Sequence, residues 1–152
     1  MNELDFASLD PNDPRDRRRA LLAIPKDRTV VRKYHAELLD LFRNEMNFRR
    51  DDSLPDEDSW FENIYWCGLL LYLVGDPEDV PLMWEAKHIN MDVGCGFDSQ
   101  FLVGAGVTET IRYLTDKGHT KIAEYLDHIQ ASGELDDLPK WESYRISYFS
   151  QF

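Results

Sequence analysis

The stretch that decides the fold runs from Ile64 to Trp84, IYWCGLLLYLVGDPEDVPLMW. Through Val74 it is apolar almost all round. That predicts a helix with no polar face, which belongs at the centre of a domain with other helices around it. The run is too short to span a bilayer, and its tyrosines suit a core helix better. Gly75 is expected to close the helix, because glycine tolerates the left-handed conformation of a C-terminal cap. Asp76 to Asp79 then restart the chain as an acidic first turn at the positive end of the next helix dipole. Pro81 fits that first turn, where its missing N–H is not needed, so Asp79 is expected to be the cap. Leu82, Met83, Ala86 and Ile89 form the inner stripe of this second helix, widened by Val80 and Trp84. Glu85 and His88 fall on its other side.

Towards the N-terminus, Ser59 and Glu62 have the spacing of a capping box that would start the central helix. RRDDSLPDEDS before it reads as a polar loop. From Asp27 to Asn47, Val31, Tyr34, Leu38, Leu41 and Phe42 repeat at three and four residues, the spacing of a buried helical stripe. His35 borders that stripe. DRRRALLAI predicts a short helix ending before Pro25. Its Arg15, Arg17, Arg18 and Arg19 are interrupted by Asp16 and preceded by Asp13, so they read as a solvated face or as partners of the acidic body. Residues 1–13 read as a mobile acidic lead-in. Towards the C-terminus, helices are predicted near Thr108–Lys117, with Ile111 and Leu114 inward, and over Thr120–Gln130. The aromatic tail, residues 139–152, carries Trp141, Tyr144, Tyr148, Phe149 and Phe152. Its spacing suits a helix docked on the body, although the alternation around Ile146 leaves a strand open.

A chain of 152 residues, 43% of them hydrophobic, can form one domain with its own core. The net charge of -12 is spread unevenly. Residues 1–50 hold 11 Lys and Arg against 9 Asp and Glu, whereas residues 51–152 hold 6 against 20, a balance of -14. Such a body repels nucleic-acid phosphates and anionic membranes and attracts cationic partners. The opening MNELDFASLDPNDPRD lacks a basic start followed by an apolar region, so no secretory signal is expected. Cys67 and Cys95 show no metal spacing and are expected as reduced thiols of a cytoplasmic protein.

Leu73-Val74-Gly75 returns as Leu102-Val103-Gly104. In each case the triplet is read as closing an apolar helix, followed by a polar restart and a second helix, the logic of helical-hairpin repeats. GDPEDVPLMWEAK resembles the turn and second helix of short HEAT-like repeats, and GHTKIAEYLDHI is similar to ankyrin helices, over roughly residues 59–130. GAGVTETI lacks the Asp-Pro of the turn. The fold expected is therefore all-α, as stacked HEAT-like hairpins or as a compact helical bundle. In size, charge and this HEAT-like stretch the chain also resembles bacterial toxin-immunity proteins. That resemblance implies a non-enzymatic inhibitor that covers a basic partner, often a nuclease.

The candidate partner-binding residues are Glu85 and His88 on one second helix, Glu109, Arg112 and Asp116 on its counterpart, and Asp92 and Asp98 flanking the glycine loop between them. No cofactor is expected. The sequence holds no GxSxG nucleophile motif and no phosphate loop: VGCGF and VGAGV are not followed by Gly-Lys-Ser/Thr. Two alternatives remain open at this level. One is a metal-dependent enzyme built on His88, Asp92 and Cys95, whose spacing matches no standard zinc pattern. The other is a homo-oligomer subunit with its aromatic tail buried between copies.

Overall fold

The computed structural model describes residues 4–51 and 59–152, and among them no strand forms. The α-helices are α1 (Pro14–Ala23), α2 (Arg28–Val31), α3 (His35–Arg49), α4 (Asn63–Val74), α5 (Val80–Lys87), α6 (Met91–Gly96), α7 (Val107–Asp116), α8 (Thr120–Ala131) and α9 (Leu138–Phe149). Tight 3₁₀ turns at Arg32–Tyr34, Ser59–Glu62, Pro77–Asp79 and Ser99–Val103 lie between them. The all-α expectation holds. The helix read over Asp27–Asn47 is present as α2 and α3 joined by the Arg32–Tyr34 turn. Residues 52–58 of the loop read as RRDDSLPDEDS lie outside the described residues, as does the Ser59 side chain of the expected capping box. The helix itself starts at Asn63 with Glu62 in the cap position and no side-chain cap.

The central helix is α4. Every residue from Asn63 to Val74 is buried except Tyr65, which is half-buried. Each buried leucine there contributes about 1.5–3 kcal/mol relative to exposure. Around it lie α3, α1, α2, the Ser99–Val103 turn and α9. Gly68 makes room on one side: a Cβ there would stand 2.8 Å from the ring of Phe101 and 3.0 Å from that of Phe97. On another side, Phe149 is fully buried with its ring centroid 5.4 Å from that of Trp66. The tail is therefore a helix docked on the body. Trp141 packs on Tyr72 and Phe101, Arg28 pairs with Glu142, and Tyr144 stays exposed. The lead-in makes specific contacts over its described part: Phe6 packs on Tyr34, and Arg17 donates to the Pro11 carbonyl.

The recurring Leu-Val-Gly has a spatial meaning. Gly75 closes α4 at φ 71°, its N–H bonded to the Leu71 carbonyl at 3.0 Å. A Cβ on Gly75 would stand 3.1 Å from the Gly104 carbonyl oxygen, and one on Gly104 only 2.0 Å from that of Tyr72. The two triplets thus touch, backbone against backbone. The second ends the 3₁₀ turn Ser99–Val103 rather than an apolar α-helix, which corrects the symmetry read from the sequence. The most closely packed helix pairs are α3 with α4 and α7 with α8.

The arginine cluster also needs correction. Arg15 and Arg19 are exposed and pair with Asp13 and Asp16. Arg17 and Arg18 lie on the opposite side of α1, with Ala20 and Leu21, and are buried. Arg17 forms an ion pair with Glu45 of α3, whose side chain is 0% exposed. Asn63 of α4 donates to the same carboxylate at 3.1 Å and to the Pro14 carbonyl at 3.0 Å, and Arg18 donates to the Asn63 side chain at 2.6 Å. Burial pushes the Glu45 carboxyl above its usual range, while Arg17 and Asn63 oppose the shift. This polar knot joins α1, α3 and α4.

Two outcomes are expected. Gly104→Ala should destabilise the protein by several times the about 1–2 kcal/mol of left-handed strain expected for Gly118→Ala, which meets nothing within 4 Å. Urea midpoints of the two variants should show this order. Glu45→Met should cost about 3–5 kcal/mol by stranding Arg17, and adding Arg17→Met should restore most of it. A double-mutant cycle with no coupling would contradict the pairing.

Candidate functional site

The site is built where the chain leaves α4. Asp76 adopts an extended backbone and accepts the Glu78 N–H at 2.9 Å, so it caps the Pro77–Asp79 turn. Asp79, expected as the cap of α5, makes no capping bond. Its side chain turns inward instead and meets His35, at the start of α3, with Oδ2 2.7 Å from Nε2. Pro81 lies in the first turn of α5 as expected. Burial raises the Asp79 carboxyl; His35 opposes this, and the neighbouring Asp76 and Glu78 add to it.

Helix α7 lies against this turn. Its half-buried Tyr113 has a phenol held above its ordinary value, first by desolvation and then by the carboxylates of Glu78, Asp76 and Asp79. Glu109, Tyr113 and Asp116 share one helical face by their spacing of four and three, and both acids are exposed. The turn and the helix therefore form one acidic surface around an aromatic ring. Nearby cations are few. Arg112 pairs with Glu109 at 2.9 Å, Lys117 stands 5.9 Å from the Tyr113 ring centre, and Arg32 lines the cleft beside His35 and Asp76.

The remaining residues singled out from the sequence lie elsewhere. Glu85 is exposed and pairs with Arg50 at 2.9 Å. His88 is exposed, its ring tilted against that of Trp84 and its Nδ1 2.7 Å from the Trp84 carbonyl oxygen. Asp92 is exposed on α6. Asp98 is engaged internally, accepting from Trp141 at 2.9 Å and from Arg145 at 2.7 Å, so its charge anchors α9. The segment read as a glycine loop is the short helix α6, and Lys87 donates to the carbonyls of its Gly94 and of Phe97 just after it; burial lowers the Lys87 pKa. Cys67 is fully buried, and desolvation holds its thiol well above the usual value, which disfavours the reactive thiolate.

His88, Asp92 and Cys95 do not converge. Among the described residues, the group of three side chains able to share a metal ion is His35, Asp76 and Asp79. By spacing alone His35 reads as a boundary residue and Asp79 as a cap. Forty-four positions separate them, and no local spacing signals their meeting. No protein-family model, curated protein or solved structure matches the chain.

Removing a partner from a buried polar contact strands the other, so Asp79→Ala should cost about 1–3 kcal/mol. Glu78→Ala, at the exposed position beside it, should stay within about 0.5 kcal/mol. Equal urea midpoints for the two would argue against the Asp79–His35 contact.

Proposed function

We propose that this chain is a non-enzymatic, acidic protein-binding module, an immunity or inhibitor protein in character, that covers a basic protein partner in the cytoplasm. The observation that carries this reading is the surface of the Pro77–Asp79 turn and α7. Asp76, Glu78, Glu109 and Asp116 there outnumber Arg32, Arg112 and Lys117 around Tyr113. Uncompensated carboxylates steer a cationic partner and select against acidic ones, including nucleic acid. A half-buried tyrosine framed by charge is the kind of anchor that supplies much of an interface's affinity. Glu85 and His88 line a second cleft with Arg50 and Lys121, and Asp92 is exposed on α6, within the reach proposed for a larger partner. Among the described residues no helix is long and apolar enough to cross a membrane.

The test is affinity capture from the protein's own cells with a salt-step elution, run in parallel with a Glu78→Lys/Glu109→Lys/Asp116→Lys variant checked for native helicity. A basic protein should be released by salt from the parent chain and be missing from the variant. With that partner purified, Tyr113→Ala should cost about 2 kcal/mol of affinity or more. Equal capture by both chains, or binding that does not weaken with salt, would refute the docking face.

A further inference from the structure

The charge around Asp79 is poorly matched by protein alone. Its side chain is 7% exposed, and the hydrogen bond it receives comes from His35, whose ring is itself 27% exposed. Asp76 is already oriented: the Glu78 N–H fixes one carboxylate oxygen, and among the described residues no other hydrogen bond engages that carboxylate. One ligand atom from each of His35, Asp76 and Asp79 can be chosen so that all lie within 4.8 Å of one another. A cleft of about 390 Å³ reaches His35 and Asp76 from solvent, with Arg32, Val74, Gly75 and Pro77 as its other walls.

We propose that His35, Asp76 and Asp79 bind one divalent transition-metal ion of the zinc class. Metal–nitrogen and metal–oxygen bonds to zinc are about 2.0–2.2 Å. Two ligand atoms of a tetrahedral set around such an ion are then separated by about 3.3–3.6 Å. The 2.7 Å between His35 Nε2 and Asp79 Oδ2 needs to open by less than about 1 Å as the shared proton gives way to the ion. Imidazole together with two carboxylates favours zinc and its neighbours over calcium or magnesium, which take all-oxygen sets. Three protein ligands leave a position for water, which the cleft can supply. Arg32 is the opposing cation, and the carboxylates of Asp76, Glu78 and Asp79 outweigh it. The site adjoins Tyr113 but does not depend on the docking role of that surface.

The test uses the full chain, stripped with chelator and titrated with zinc by calorimetry, with bound metal counted by elemental analysis. Cobalt replaces zinc in a second titration, read by its visible absorption. About one equivalent of zinc should bind, and calcium should bind far more weakly. His35→Gln and Asp76→Asn should each weaken zinc binding by more than about tenfold, and His88→Ala should leave it unchanged. Asp76→Asn retains a side-chain oxygen to accept the Glu78 N–H, so that variant is expected to fold. No uptake by the parent chain at millimolar zinc would overturn the proposal. So would uptake that survives both ligand variants or is lost with His88→Ala.

Discussion

A helix with no polar face must be covered on every side, and the rest of this structure follows from how α4 is covered. Leu69, Leu70, Leu71 and Tyr72 follow one another at about 100° steps around the full circumference and are all buried, so no single neighbour can cover them. α3, α1 and α2, the Ser99–Val103 turn and α9 each take a sector. Where the cover must come closest, the chain has no side chain: Gly68 admits two phenylalanine rings, and Gly104 lets its segment rest on the Tyr72 carbonyl. Interiors are packed to crystal density, so these positions set helix spacing and not merely local conformation.

Apolar cover alone would let helices slide. The Arg17–Glu45–Asn63 knot ties α1, α3 and α4 at one register, because displacement would strand a buried charge. Asp98 does the same for α9 through Trp141 and Arg145. These internal uses of charge matter for function. They consume arginines that, counted along the chain, look like partners for the acidic body. What remains outside is a carboxylate excess on the turn after α4 and on α7. The helix that had to be buried ends by delivering Asp76, Glu78 and Asp79 to the face of Tyr113 and the start of α3.

Much of the architecture is legible in the residues because helical periodicity is a local property. The all-round apolarity of Ile64–Val74, the cap at Gly75 and the stripe of Ile122, Leu126 and Ile129 each show within one or two turns of chain. The aromatic tail is likewise helical and docked. The candidate site is legible only in part. Spacing marks Glu109 and Asp116 as outward-facing acids but gives no sign of Tyr113 between them. It also assigns Asp98 to a partner that this residue does not face. The Leu-Val-Gly echo suggests repeated units, whereas in space it marks two backbones in contact.

The sequence by itself determined that the chain folds as helices around α4, and that its C-terminal two-thirds is acidic. Both depend on composition and on spacing within a few residues. Only the tertiary structure decided which charges are spent inside and which face outward. Arg17 and Arg15 are two positions apart on one helix, yet one is buried and the other exposed. His35 and Asp79 become neighbours because α3 and the turn after α4 pack on the same core. Burial and long-range proximity are properties of the packed whole, and no local window of residues contains them.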